Sequence, residues 1–303
     1  MKLTNKIAIL TTAITVSWFA VAQETTELRV VTTEVAPKLY MLAGAGGFLG
    51  GNMMLSIGED GVVMVDDALS SNLTLIKTAI TRVTDKPIDY LINTHIHADH
   101  IGNNNAFSKE GSHIVAHKNI RHRLIKDGIP GSANKTAPKG SLPVITFSHA
   151  MNFHLNGDDM HIFHVKNAHT DGDAVIHIEN ENIIHTGDTL FNGMFPYIDY
   201  DHGGSLDGYI DAQKIILNLA NEHTKIIPGH GPLANKKDLQ ASITMLEESK
   251  EIIAKLIASG KSVDEIVKLN PLSIYHDKWN WGFITTERMT RQIVKGLQPF
   301  IQK

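Results

Sequence analysis

The sequence predicts a mixed α/β fold of the α+β type, with two β-sheets packed face to face and helices on the outside. Three observations predict it. Short apolar runs with strand character come in two series, one from Leu28 to Ala116 and one from His161 to Ile227. Stretches of helical period interrupt or follow each series, so each sheet would receive a helical cover. Segments rich in His, Asp and Gly stand after the apolar runs, where successive strand ends would deliver their loops to one edge.

The elements follow in chain order. Val30 to Val35 and Lys38 to Leu42 have strand composition. Met53 to Ile57 and Val62 to Val65 flank Gly58-Glu59-Asp60-Gly61, a four-residue hairpin turn. Leu73, Ile76, Ile80 and Val83 recur with helical spacing. Ile88 to Ile92 reads as a buried strand, Asn104 to Lys109 as a short helix and Ile114 to Ala116 as a strand. Residues 128–143 are rich in Gly, Pro, Ser and Asn and predict a loop that covers a site. In the second series His161 to Val165, Ala174 to Ile178, Asn182 to His185 and Lys225 to Ile227 are strands, and Tyr209 to Leu219 is a helix. Leu239 to Ile257 is helical and ends near Gly260. Ser262-Val263-Asp264-Glu265 is a capping box that opens another helix. Glu287 to Leu297 is an amphipathic helix. Trp279 and Trp281, in the same tail, read as packing anchors. No stretch reads as a linker, so residues 23–303 are expected to form one domain with a helical tail over about 236–303.

The chain has 303 residues, a formal charge of −4, 17 histidines and no cysteine. A chain this long buries about three quarters of its unfolded surface, so it needs no metal to hold its fold. The absence of cysteine excludes disulfides, thiolate metal sites and cysteine nucleophiles. The first 22 residues read as a cleavable leader: Lys2 and Lys6 precede an apolar stretch, and Ala20-Val21-Ala22 stands before Gln23. This predicts a periplasmic or secreted protein with no stable membrane insertion after cleavage. Losing two lysines and no acid takes the charge from −4 to −6, which argues against a nucleic-acid partner. A small-molecule substrate is expected; the oligomeric state is left open.

The most informative stretch is His95-Ile96-His97-Ala98-Asp99-His100, directly after an apolar strand. Side chains two apart on a strand share a face, so His95 and His97 would aim at one point. Asp99 and His100 lie beyond the strand end and can turn toward another. The spacing therefore suits two metal ions better than one. Three further ligand-type segments follow apolar runs: Ala168-His169-Thr170-Asp171-Gly172-Asp173, Thr186-Gly187-Asp188-Thr189 and Pro228-Gly229-His230-Gly231-Pro232. With imidazole and carboxylate as ligands, zinc is the expected metal, and iron or manganese also fits.

Taken together, these residues resemble the metallo-β-lactamase superfamily. The His-x-His-x-Asp-His motif at 95–100, His169, Gly187-Asp188 and Gly229-His230 occur in that family's order. The resemblance implies an αββα four-layer sandwich. It also implies one metal on His95, His97 and His169, another on Asp99, His100 and His230, and Asp188 bridging the two. The activity implied is that of a dizinc hydrolase, whose metal-bridging hydroxide cleaves an amide, ester or lactone, with β-lactams among the candidates. Asp99 would orient the nucleophile and pass a proton to the leaving group. Asp188 stands where some β-lactamase subclasses carry cysteine, which excludes those subclasses and makes the chain look more like glyoxalase II and lactonases, while Thr170-Asp171-Gly172-Asp173 and Gly203-Gly204-Ser205 resemble segments of exported hydrolases of this family. A glyoxalase II-like thioesterase or lactonase is thus an alternative, as is an oxidoreductase like the mononuclear iron persulfide dioxygenases.

Around this set, Asp171 and Asp173 are candidates to hydrogen-bond a ligand imidazole. His185 reads as a strand-core residue, His202 as a surface or pocket-lining one, and His149, His154 and His223 as structural or exposed. Residues 44–51 form a glycine-rich loop with an apolar tip, similar to the mobile hairpin over the family's site. Residues 191–197 should make another wall. No Lys or Arg occurs between Asp188 and Lys214, where several β-lactamases carry a cationic clamp.

Overall fold

The structure, a computed structural model, describes residues 27–133 and 136–297. The expected leader and its cleavage site at Ala20-Val21-Ala22 lie outside the described residues. The first series of apolar runs forms a seven-stranded sheet: β1 (Arg29–Ala36), β2 (Leu39–Ala45), β3 (Met53–Ile57), β4 (Val62–Val65), β5 (Tyr90–Asn93), β6 (His113–His117) and β7 (Ile145–Phe147). Its strands lie in sequence order, antiparallel from β1 to β4 and parallel from β4 to β7. The second sheet contains β8 (Ala150–Leu155), β9 (Asp158–His164), β10 (Ala174–Ile178), β11 (Ile183–Phe191) and β12 (Lys225–His230), in the order β12-β11-β10-β9-β8. Only β11 and β12 are parallel in it, because the helix α5 (Leu206–Leu219) carries the chain over between them.

Side-chain alternation builds the layers. In β4, Val63 and Val65 join Ile92, Val115, Ile162, Ile176 and Ile227 in an apolar layer between the sheets. Val62 and Met64 face the other way, onto Ile76, Ala79 and Ile80 of the helix α1 (Leu73–Ile80). On the far side, Val175, Ile184 and Ile226 meet Ala212 and Ile216 of α5 and Leu239 and Ile243 of a longer helix at Lys236–Ala258. The order is helix, sheet, sheet, helix, as expected. Each fully buried Val, Leu or Ile in these layers contributes about 1.5–3 kcal/mol.

The remaining helices are α2 (Ala98–Ile101), α3 (Asn104–Lys109), α4 (Lys118–Asp127), α6 (Lys236–Ala258), α7 (Val263–Leu269), α8 (His276–Trp279) and α9 (Thr286–Leu297). The capping box at Ser262 is formed: its hydroxyl accepts from Glu265 N, and the Glu265 carboxylate accepts from Ser262 N. The hairpin turn at 58–61 closes through Gly58 N to Gly61 O at 3.1 Å. Five elements, α2, α4, α8, β7 and β8, were not legible in the sequence. In α4 only Ile120 and Leu124 are buried, and in β8 only Phe153, so neither displays a full periodic face.

The C-terminal helices shape the site from a distance. Met245, Ile253, Ile266, Met289 and Ile293 pack around Phe195 and Ile198, in the loop that follows β11. Gln292 pins that loop, its Oε1 accepting from Ile198 N at 2.8 Å and its Nε2 donating to Pro196 O at 3.1 Å. Among the described residues, no helix is long and apolar enough to cross a membrane.

Candidate metal centre

Strand ends bring the predicted residues together at one edge of the sandwich. Strand β5 stops at Asn93, and the chain bends so that His97 caps α2, with Asp99 and His100 in its single turn. His169 lies in the loop after β9, Asp188 is within β11, and His230 ends β12. Two backbone links tie these pieces: Gly51 N donates to Asp99 O at 2.9 Å, and Asn52 N donates to Gly229 O at 2.7 Å. The Asn52 amide adds bonds to Pro228 O and Gly231 O, both at 2.9 Å.

Ligand atoms of His95, His97, His169 and Asp188 lie within 4.8 Å of one another, and so do those of Asp99, His100 and His230. Both groups could hold a metal ion. Asp188 reaches each with a different oxygen. Its Oδ2 is 3.6 Å from His95 Nε2 and 3.4 Å from His169 Nε2. Its Oδ1 is 3.1 Å from His100 Nε2 and 3.5 Å from His230 Nε2. Asp99 Oδ2 is 3.3 Å from His230 Nε2 and 3.7 Å from His100 Nε2.

The hydrogen bonds around this set leave inward-facing lone pairs. His169 Nδ1 donates to Tyr197 O at 2.8 Å. His100 Nδ1 donates to Asp66 Oδ2 at 2.7 Å, and His97 Nε2 donates to Asp199 Oδ2 at 2.8 Å. Thr94 Oγ1 donates to Asp66 Oδ2 at 2.6 Å and so accepts from His95 Nδ1 at 3.0 Å. With the outer nitrogens protonated by these acceptors, the inner ones carry lone pairs. His97 Nδ1 and His169 Nε2 then face each other at 2.9 Å. His95 Nε2 and Asp188 Oδ1 are buried with no hydrogen-bond partner. Converging lone pairs and orphaned buried atoms are what a cation between them would satisfy.

The electrostatics divide along the same line. Burial pushes His95 well below the usual imidazole range, aided by His100, and burial holds His169 down to about 4. On the other side burial works against charge, but Asp188, Asp99 and Asp66 outweigh it and push His100 well up; Asp188 and Asp99 likewise raise His230 to about 9. Asp99, although buried, is drawn down to about 2 by His100 and His230, and Asp188 is also held low against its burial by His100, His230 and His95. Three carboxylates attract positive charge here, and a metal ion would displace the protons that otherwise meet it.

Two supporting carboxylates were missed in the sequence: Asp66, which directly follows β4, and Asp199. Asp66 could have been found, since Asp66-Asp67 stands directly after the run Val62–Val65. Asp199 could not, because only folding brings it to His97, 102 positions away. The candidates chosen instead do other work. Asp171 receives a two-pronged bond from Arg123 at 2.8 and 2.7 Å, and Asp173 accepts from Thr170 N and Oγ1. Neither bonds a ligand imidazole. His185 is a core residue, while His202 lines the pocket and bonds Asp199 Oδ2 at 2.5 Å. His149, His154 and His223 are exposed.

A cavity of about 600 Å³ opens over the centre, bounded in part by Pro130 and Gly131 of the predicted covering loop. Phe48, at the tip of the glycine-rich loop, stacks on His230 at 5.8 Å. Phe191 and Tyr197 form a wall as expected. Trp281, read as a packing anchor, does pack against the cluster around Phe195, and it lines the cavity as well, with its indole N–H bonded to Phe195 O at 2.9 Å.

A four-layer sandwich with imidazoles and carboxylates collected at its strand ends defines a metal-binding protein of the αββα class. The metallo-beta-lactamase superfamily profile matches residues 46–230, well over half of the sequence, and the chain belongs to that superfamily. It is 21% identical over 210 residues to the alpha subunit of the 2,4-dinitroanisole O-demethylase of Nocardioides sp., a match covering 68% of this chain and 60% of that protein. It is 26% identical over 193 residues to a probable metallo-hydrolase of Methanocaldococcus jannaschii, covering 61% and 89%. The match thus spans less than two thirds of the first relative's length. A solved metallo-beta-lactamase from Pontibacter korlensis superposes with a TM-score of 0.58 at 17% identity, over 72% of this chain and 99% of that one.

Proposed function

We propose that this protein is a two-metal hydrolase that cleaves an acyl bond (amide, ester or lactone) in a small-molecule substrate. One observation carries the reading: Asp188 presents one oxygen to His95 and His169 and the other to His100 and His230. A carboxylate split in this way suits a bridge between two cations. On this reading His95, His97 and His169 hold one ion, Asp99, His100 and His230 the other, and Asp188 both. The donor set suits zinc, with iron or manganese also compatible. Such ions supply an activated water and polarise the substrate carbonyl. Asp99, lining the cavity and kept ionised by His100 and His230, would orient the attacking water, take up the proton that the water gives up, and pass it to the leaving group. The same reading takes residues 23–303 as one exported domain.

The test is metal quantification paired with a hydrolytic screen that includes esters, lactones, thioesters and β-lactams. About two zinc ions per chain and activity abolished by a chelator are expected. A single iron per chain with oxygen uptake would overturn the reading in favour of an oxidoreductase.

Asp199 is a positioning residue here. Its Oδ1 accepts from Asp201 N and His202 N at 3.1 Å, so it cannot turn without losing both bonds. In Asp199→Asn the amide NH2 would therefore face His97 Nε2 and drive the ring proton to Nδ1, blocking the inward lone pair. The expected result is metal retention weakened by about 10–100-fold in a chelator competition, with unchanged circular dichroism.

A further inference from the structure

The cavity walls differ from its floor. Phe48, Phe191, Tyr197, Trp281 and Phe283 all line it, and they form a nearly continuous aromatic surface. Phe191 lies 6.0 Å from Trp281, Trp281 is edge-on to Phe283 at 5.4 Å, and Phe283 is edge-on to Tyr197 at 6.0 Å. Phe48 joins this surface through His230, and two of its rings stay open to water: Phe48 is 56% and Phe283 51% exposed. Large apolar rings left in water beside a reactive centre gain free energy when a ligand covers them. Among the described lining residues none is Lys or Arg. Arg288 is not among the lining residues; its guanidinium lies over the Phe283 ring at 4.1 Å and the Tyr197 ring at 5.4 Å, and it donates to Phe283 O at 3.0 Å. These contacts engage its guanidinium with the wall residues themselves. Trp281 and Phe283 also fall outside the region 46–230 that the superfamily profile matches, so this half of the wall belongs to the C-terminal tail.

From this we infer that the cavity selects uncharged acyl compounds bearing an aromatic ring, such as aryl esters or aryl-substituted lactones, and discriminates against substrates with an anionic group along the wall. An aromatic ring can lie offset or edge-on against Phe48, Trp281 and Phe283, each such pair adding to the apolar burial. A carboxylate or sulfonate placed there would lose hydration and meet no Lys or Arg among the described lining residues. That the bound compound is then cleaved rests on the hydrolase reading above; the selection itself does not.

The test uses the metal-loaded protein and two non-hydrolysable probes, 2-acetylnaphthalene and 6-acetylnaphthalene-2-sulfonate, with binding measured by calorimetry. Sulfonate is chosen because it is a poor metal ligand. The neutral ketone is expected to bind at least tenfold more tightly than the sulfonate. Phe283→Ala and Phe48→Ala remove exposed rings, so the fold is retained, and each should weaken ketone binding by about fivefold. Equal or tighter binding of the sulfonate, or ketone binding unchanged in both variants, would overturn the inference. Selective ketone binding without turnover of 1-naphthyl acetate or any other acyl compound would uphold the selection and sink the hydrolase reading instead.

Discussion

Asp188→Ala is expected to lower hydrolysis by about three orders of magnitude and to leave at most one ion per chain. Asp188 is the only described side chain whose two oxygens reach both ligand groups, at 3.4 and 3.6 Å on one side and 3.1 and 3.5 Å on the other. The size of the effect follows from what a positioned metal supplies to a transition state, several kcal/mol, and about 4 kcal/mol is three decades of rate. The fold should survive. Asp188 is almost completely buried, and the imidazoles that face it can shed their protons once its charge is gone, so alanine leaves no fixed unpaired charge among the apolar layers. Metal content and turnover are the measurements, with circular dichroism as the control. A variant that keeps two ions and more than a tenth of its activity would exclude the bridging role.

The second large effect is expected at a residue with no chemistry of its own. A Cβ built on Gly51 would sit 2.1 Å from Cε1 and 2.5 Å from Nε2 of His100. His100 is fully buried and bonded to Asp66, so it cannot move aside. Gly51→Ala must displace either the imidazole or the strap made by Gly51 N to Asp99 O and Asn52 N to Gly229 O. Either shift separates Asp99, His100 and His230. The expected outcome is loss of one of the two ions, a stability decrease of about 1–3 kcal/mol in denaturant titration, and activity reduced at least a hundredfold. Gly47→Ala, in the same loop, is the control. Its Cβ would meet only Leu28, at 3.5 Å from Cδ1 and 3.7 Å from Cβ, ordinary contacts, and it should behave like the parent. Equal effects from the two substitutions would show that loop flexibility, rather than the approach to His100, is what matters.

That contrast shows how far sequence reasoning reaches. Residues 44–51 read as one mobile glycine-rich loop, and nothing in the string separates Gly47 from Gly51. The distinction arises because Gly51 passes over an imidazole 49 positions further along. Trp281 makes the same point from the opposite direction. Its hydrophobicity predicted packing, which it has, but its place in the cavity wall depends on partners far away in the chain, Phe191, His230 and Phe195 O. Likewise α4 and β8 lacked a periodic face because each buries so little.

By itself the sequence determined the layer order, most strand and helix positions, and the seven residues His95, His97, Asp99, His100, His169, Asp188 and His230 that meet at the strand ends. These are local quantities: apolar period, turn chemistry and ligand-type residues placed next to strand ends carry their meaning within a few positions. Only the tertiary structure decided which carboxylates orient those imidazoles, with Asp66 and Asp199 in place of Asp171 and Asp173. It alone decided too that the tail would wall the cavity with Trp281 and Phe283. Those outcomes depend on hydrogen bonds and packing between segments remote in the chain. A carboxylate's partner is set by which donors lie within about 3 Å after folding, and no spacing along the sequence encodes that distance.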